Sequence, residues 1–253
     1  MWKEIGDAFR LLGTIGDGSR VVLLLGKGKA FCAGIDTSDP SFGLIGGIPE
    51  EDIDIARQIL SSRPKILEMQ RSLTAIEECP LPVVAAIQGA CIGGGIDLTC
   101  CADVRLCSPS ARFGVREVRL GLAADVGTLQ RFPKIVGHGS RVRELCLSGD
   151  DFGSEEAARI GFVSRISASE EDLLPMAFSV CQKISSNSPV AVVGTKISLN
   201  FSRDHSVTEG LEHIAMHNSA ALLTDDIMTS FVSASGGGKE KPDFLKLQPH
   251  SRL

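Results

Sequence analysis

The sequence predicts an α/β core followed by a region built from helices alone. Two short apolar runs, Val21 to Leu25 and Val83 to Ile87, have the length and composition of strands buried on both faces. Segments with helical spacing alternate with these runs early in the chain. The second half is mostly helical in pattern, which places helices at the C-terminal end of the fold.

Taken in order, Trp2, Ile5, Phe9 and Leu12 recur at the spacing of one helix face. A Gly-rich turn leads to the first apolar run. The stretch Gly26 to Asp36 and a polar, Gly-containing loop to about Glu50 come next. Residues 51–78 read as a helix with a break or kink at Pro64. Pro80 and Pro82 frame the second strand, and Gly89 to Gly95 opens a helix carrying Asp97 and Leu98. A short strand is expected near Asp103 to Leu106. Ser206-Val207-Thr208-Glu209 forms a capping box ahead of Leu211 and Ile214. Ser154 and Ser169 are further N-cap candidates, each followed by acidic residues. Gly236-Gly237-Gly238 with Lys239, Glu240 and Lys241 reads as a flexible run into the tail. The expected organisation is a core over residues 1–190, a helical region over 191–235 and a tail over 236–253.

Composition removes several function classes. At 43% hydrophobic and 23% charged residues, the chain of 253 residues has material for a substantial core. Eleven Phe and one Trp are accompanied by no Tyr, so no chemistry can rest on a phenol. With 26 basic against 31 acidic residues, a protein that coats nucleic acid is disfavoured. The eight cysteines, Cys32, Cys79, Cys91, Cys100, Cys101, Cys107, Cys146 and Cys181, lie in or beside apolar runs and form no CxxC pair. They read as reduced, mostly buried small hydrophobes of a soluble intracellular protein. No apolar stretch approaches the length of a membrane span.

Two motifs invite a functional reading that their context does not support, and a third is missing. Gly26-Lys27-Gly28 lacks the spacing and the terminal Lys-Ser/Thr of a phosphate loop. His213 and His217 have metal-ligand spacing, but no third ligand accompanies them, and a helix-surface pair is expected. No GxSxG elbow supplies a serine nucleophile.

A different constellation carries the chemistry. Phe31-Cys32-Ala33-Gly34-Ile35-Asp36 and Gly89-Ala90-Cys91-Ile92-Gly93-Gly94-Gly95-Ile96-Asp97 each end a strand-to-loop segment in small residues. Such residues let a backbone approach a ligand closely, and one N–H from each segment can bind a developing oxyanion. Three carboxylates follow: Asp97, Glu117 and Asp125. Asp125 lies in the apolar setting Gly121-Leu122-Ala123-Ala124-Asp125-Val126-Gly127, where burial is expected to raise its pKa for proton transfer.

These residues make the chain resemble the crotonase (enoyl-CoA hydratase/isomerase) superfamily. Cys79 to about Ile166, Ser186 to Val192 and Ser202 to Val207 are similar to the Δ3,5-Δ2,4-dienoyl-CoA isomerases within it. The resemblance implies a spiral core of short strands and helices with a helical C-terminal trimerisation region. It implies an oxyanion hole from the N–H groups of Ile35 and Gly94, and a substrate site formed with Ala33, Gly34, Asp36 and Thr37. Hydratases carry glutamates at positions 97 and 117 and a glycine at 125; the dienoyl isomerases carry the Asp, Glu and Asp found here. The implied reaction moves the double bonds of a 3,5-dienoyl-CoA to the 2,4 positions. In it Glu117 is the candidate base at C2 and Asp125 the candidate acid that delivers a proton at C6, two labels that can be exchanged, and Asp97 orients or tunes Glu117. The alternatives are an enoyl-CoA hydratase or Δ3-Δ2-enoyl-CoA isomerase, and, in another class, an inactive acyl-CoA- or RNA-binding scaffold.

No metal or redox cofactor is implied, since coenzyme A enters with the substrate; the implied assembly is a homotrimer or hexamer. Relatives have a first strand and an Asn-Arg-Pro-type loop ahead of the position of Trp2, where this chain begins, and a shorter loop between Asp36 and Cys79. Ser251-Arg252-Leu253 is close to the Ser-Lys-Leu peroxisomal address, which implies an import receptor as a partner. A mitochondrial location is the alternative.

Overall fold

The structure, a computed structural model, describes residues 1–36, 54–235 and 242–248. Its elements begin with α1 (Trp2–Leu12), β1 (Val22–Leu25), α2 (Ile55–Glu78), β2 (Val83–Ile87), β3 (Ala90–Ile92) and α3 (Gly94–Cys100). There follow β4 (Val104–Cys107), β5 (Arg112–Gly114), a 3-10 turn (Glu117–Leu120), α4 (Thr128–Val136) and α5 (Ser140–Ser148). The remainder comprises β6 (Asp151–Gly153), α6 (Ser154–Arg159), β7 (Arg165–Ile166), α7 (Leu173–Ser185), α8 (Pro189–Ser202), α9 (Val207–Ala221) and α10 (Asp226–Ser235).

A parallel sheet in the order β1-β2-β4-β7 forms the centre of the core. β2 is buried along its whole length because neighbours flank it on both edges and helices cover both faces. Val84 and Ala86 pack with Leu106, Leu173 and Ala177 on the α7 side. Val83, Ala85 and Ile87 face the main core with Leu73 and Ile76 of α2. β1 differs from the expected fully buried strand: it is the sheet edge, and its last residue, Leu25, is exposed. A periodic apolar run cannot distinguish a central strand from an edge.

The second sheet, β3-β5-β6, is parallel at β3/β5 and antiparallel at β5/β6. Beneath it Phe113, Phe132, Phe152 and Phe162 form a four-ring cluster with contacting centroids 5.1–6.1 Å apart. This cluster joins β5, α4 and β6 into the rigid floor under the loops that follow β3 and β5.

Helix α2 starts on Asp54, whose side chain accepts from Arg57 N–H at 3.0 Å, and runs unbroken through Pro64. Pro64 and Leu60 are exposed, so the carbonyl that loses its donor lies on the solvent side. The capping box at Ser206 and Glu209 forms as expected. Ser154 and Ser169 do not cap: Ser154 is already helical and donates to Pro109 O, and Ser169 hydrogen-bonds Asp172 in the turn before α7. All eight cysteines are free thiols, five of them buried. The Gly236 to Lys241 run and Ser251-Arg252-Leu253 lie outside the described residues. Within the tail, Lys246 reaches Asp17 O.

One buried cation fastens the C-terminal helices to the core. Lys196 of α8, with its side chain 5% exposed, donates to Leu81 O at 3.0 Å and pairs with Asp103 at 2.8 Å. Asp103 in turn accepts from the N–H of Val83 at 2.7 Å, at the start of β2. Lys196→Met strands the Asp103 charge and is expected to cost about 3–5 kcal/mol of unfolding free energy, measured by urea denaturation.

Candidate active site

The two glycine-containing segments lie side by side. Phe31 N–H donates to Gln88 O (2.8 Å), Cys32 N–H to Ala90 O (3.0 Å), and Ile92 N–H to Cys32 O (2.9 Å). Residues 31 and 32 therefore extend the second sheet beside β3, through a parallel bridge between Cys32 and Cys91. Past this bridge both chains turn through positive φ, +92° at Gly34 and +53° at Gly93, which L-residues avoid. The segments stay close: a Cβ on Gly93 would lie 3.9 Å from Gly34 Cα. Gly94 is the first residue of α3, where an N–H has no intrahelical partner, and Ile35 follows Gly34 on the facing segment. The expected oxyanion donors, Ile35 and Gly94, thus each follow one of two adjacent glycines. Ala33, Gly34, Ile35 and Asp36 share this irregular stretch, whereas Thr37 lies outside the described residues.

Glu117 adjoins these glycines. Its Oε1 would lie 3.4 Å from a Cβ on Gly93. The 3-10 turn that presents it is clamped at both ends. Arg116 makes a bidentate pair with Asp151, with Nε to Oδ1 at 2.7 Å, and Arg119 reaches Asp150 at 2.6 Å. Asp97 is fully buried, and its Oδ1 accepts from Thr128 N–H at 2.6 Å and from Thr128 Oγ1 at 2.7 Å. Among the described residues, Asp97 Oδ2 and Glu117 Oε2 are buried with no hydrogen-bond partner. Two such oxygens in one place mark a site built to receive another molecule's donors or protons.

The position of Asp125 corrects the sequence expectation. Ala124 and Val126 are buried, but Asp125 between them is exposed, so the apolar neighbours turn inward and the carboxylate faces outward. Its backbone carbonyl is held by Gln70 at 2.6 Å. Asp125 nevertheless belongs to the same electrostatic group, since its charge acts on both Asp97 and Glu117.

Burial pushes the Glu117 carboxyl up to about 6, with the neighbouring Asp97 and Asp125 charges adding to the effect. Burial also raises Asp97 above the ordinary carboxylate range. The Thr128 hydrogen bonds, and then the Arg131 charge, pull it back down. Arg131 is itself fixed by Glu77 at 3.0 Å and Thr74 at 3.1 Å, and Glu77 also pairs with Arg203 at the end of α8.

Sequence reasoning did not single out Thr128, Arg131 or a site position for Trp2. The Trp2 ring fills the space where a Gly94 Cβ would stand, 2.7 Å from its nearest carbon. A Gly-Thr step at a helix start is a visible signal. That its donors serve a carboxylate 31 residues upstream is not.

Other candidates lie elsewhere. Gly26 and Gly28 offer carbonyls to Gln88 Nε2, at 2.7 and 3.2 Å, which ties their turn to the end of β2. His213 and His217 are half-buried rather than on the helix surface. His213 stacks on Phe201 (centroids 4.0 Å) and the His217 ring abuts Gly194. Among the described residues no three His, Cys, Asp or Glu side chains gather as a metal site. A cavity of about 720 Å³ between α8, α9 and α10 contains none of the three carboxylates. No described helix is long and apolar enough to cross a membrane.

Parallel strands feeding two glycine segments, with buried carboxylates beside them, define an enzyme of the enoyl-CoA hydratase/isomerase family, to which this chain belongs. The family profile matches residues 1–234. The chain is 43% identical over 252 residues to the mitochondrial Δ3,5-Δ2,4-dienoyl-CoA isomerase of Homo sapiens, covering 100% of this chain and 74% of that protein. It is 44% identical over 227 residues to the peroxisomal Δ3,5-Δ2,4-dienoyl-CoA isomerase of Arabidopsis thaliana, covering 90% and 80%. Its fold matches the crystal structure of an enoyl-CoA hydratase from Bacillus anthracis with a TM-score of 0.82 at 26% identity, over 96% and 87% of the two chains.

The electrostatic grouping has a direct consequence. Carboxyl NMR is expected to place the Glu117 midpoint near 6, and to move it down in Asp97→Asn and in Asp125→Asn, because each removes a neighbouring negative charge.

Proposed function

We propose that this chain is a Δ3,5-Δ2,4-dienoyl-CoA isomerase of fatty-acid β-oxidation. The observation that carries the reading is the arrangement of Asp97, Glu117 and Asp125 as one electrostatic group beside Gly93 and Gly94. The relatives described above support the substrate class.

The thioester oxygen is held by the N–H groups of Ile35 and Gly94, which stabilise negative charge as it develops there. C2 adjoins the held carbonyl, and Glu117 adjoins Gly93, so Glu117 is placed to take the proton from C2. With its pKa raised to about 6, Glu117 is a stronger base than an ordinary carboxylate yet remains largely ionised at neutral pH. Loss of the C2 proton gives an anion delocalised over the thioester oxygen, C2, C4 and C6. Protonation at C6 then leaves double bonds at C2–C3 and C4–C5. Asp125 delivers that proton and, being exposed, takes up another from solvent, while Glu117 releases the C2 proton before the next turnover, so the enzyme returns to its starting protonation state. Asp97 tunes Glu117 through its charge. The reaction draws on carboxylates and backbone N–H groups, and coenzyme A enters as part of the substrate.

The proposed assembly is a homotrimer or hexamer. Large apolar side chains exposed on α9, on α10 and in the turn between them, including Leu211, Met216, Leu223, Phe231 and Val232, support it. The proposed location is the peroxisome or a related organelle, reached by an import receptor that reads Ser251-Arg252-Leu253, with the mitochondrion as the alternative.

A spectroscopic assay tests the activity: a 3,5-dienoyl-CoA is expected to become the conjugated 2,4-dienoyl-CoA, while crotonyl-CoA is hydrated poorly. Hydration without isomerisation would reject the reading. The rate is expected to fall as pH drops through about 6, where Glu117 takes up a proton and ceases to be a base. Glu117→Gln is expected to stop exchange of the C2 hydrogen with deuterated water. Asp125→Asn should retain that exchange and lose product, and the opposite pattern would interchange the two roles.

A further inference from the structure

We infer that Thr128 is a positioning residue that fixes Asp97 and decides which of its oxygens acts in the site. The inference rests on the reading of these carboxylates as a proton-transfer centre and goes one residue deeper.

Thr128 and Asp97 are both fully buried. Thr128 spends its two donors, the backbone N–H and the single hydroxyl hydrogen, on the same oxygen, Asp97 Oδ1, at 2.6 and 2.7 Å. Both donors come from the first residue of α4, so they move only if the helix moves. A carboxylate held this way cannot rotate without breaking two buried hydrogen bonds to a charged group. Oδ2 is consequently held to one orientation, buried and, among the described residues, without a partner. With Oδ1 engaged by Thr128, Oδ2 is the oxygen through which Asp97 can accept a donor or a proton.

The charged and titratable groups around Asp97 are spread over several elements. Arg131 acts from α4, Asp125 from the preceding loop and Glu117 from the 3-10 turn; the thiols of Cys91, Cys100 and Cys101 lie on β3 and α3. Among these Arg131 is the countercharge, but it makes no hydrogen bond to Asp97: its guanidinium is committed to Glu77 and Thr74. Orientation of Asp97 therefore falls to Thr128.

The test uses Thr128→Val, which retains the backbone donor and removes the hydroxyl, and Thr128→Ser, which keeps it. Thr128→Val is expected to lower kcat by about tenfold to a hundredfold with KM within about twofold, the loss of one hydrogen bond to a charged group. Thr128→Ser is expected to stay within about threefold of the parent. In an Asp97→Ala background the valine substitution is expected to have no further effect on kcat, because its target is gone. Multiplicative effects of the two changes, or an unchanged kcat in Thr128→Val, would overturn the inference. A second readout does not depend on isomerase activity. Carboxyl NMR should show Asp97 titrating at higher pH in Thr128→Val than in the parent, with Thr128→Ser unchanged. An unshifted Asp97 overturns the positioning role. A shifted Asp97 in a protein that does not isomerise dienoyl-CoA leaves the Thr128–Asp97 coupling intact and rejects the assigned reaction instead.

Discussion

The pairing of residues 31–32 with β3 is the contact on which the rest of the site depends. Three backbone hydrogen bonds bring two segments, some sixty residues apart in sequence, into one parallel bridge. The bridge stops where Gly34 and Gly93 turn through positive φ, so the next N–H groups on each side are not used up by sheet pairing. A Cβ at Gly94 would also meet the Trp2 ring, 2.7 Å from its nearest carbon, so a larger residue there requires the ring to shift.

Around that bridge the protein holds carboxylates in a setting that does not favour them. Among the described residues, Asp97 and Glu117 each keep one buried oxygen without a partner, a cost that a purely structural carboxylate would avoid. The cost is offset by rigid surroundings: the Phe113, Phe132, Phe152 and Phe162 cluster, the Arg116–Asp151 clamp, and the two Thr128 donors. Each support fixes a different side of the site. The clamp sets the turn that carries Glu117, α4 sets Asp97, and the rings hold β5, α4 and β6 together.

Much of this was legible in the chain, for identifiable reasons. The apolar runs at Val83 to Ile87 and near Leu106 encode burial directly, and both became central strands. The two glycine segments were legible because few structures need clustered small residues at the end of a buried strand. The exposure of Asp125 was not legible, because an apolar neighbourhood in sequence does not say which side chains of a loop turn inward: Ala124 and Val126 do, and Asp125 does not. The edge position of β1 and the packing of His213 on Phe201 depend on neighbours remote in sequence, so no local pattern carries them.

By itself, the sequence determined the alternation of strands and helices, the absence of phenol chemistry and the residues able to form an oxyanion hole and a carboxylate group. These follow from side-chain type and local spacing, which act over a few residues. Only the tertiary structure decided that Gly34 lies beside Gly93, that Glu117 is buried while Asp125 is not, and that Thr128 holds Asp97. Those outcomes depend on distances between segments that the chain brings together only when the core closes. Charge and burial act through such distances, and they set the chemistry of the site.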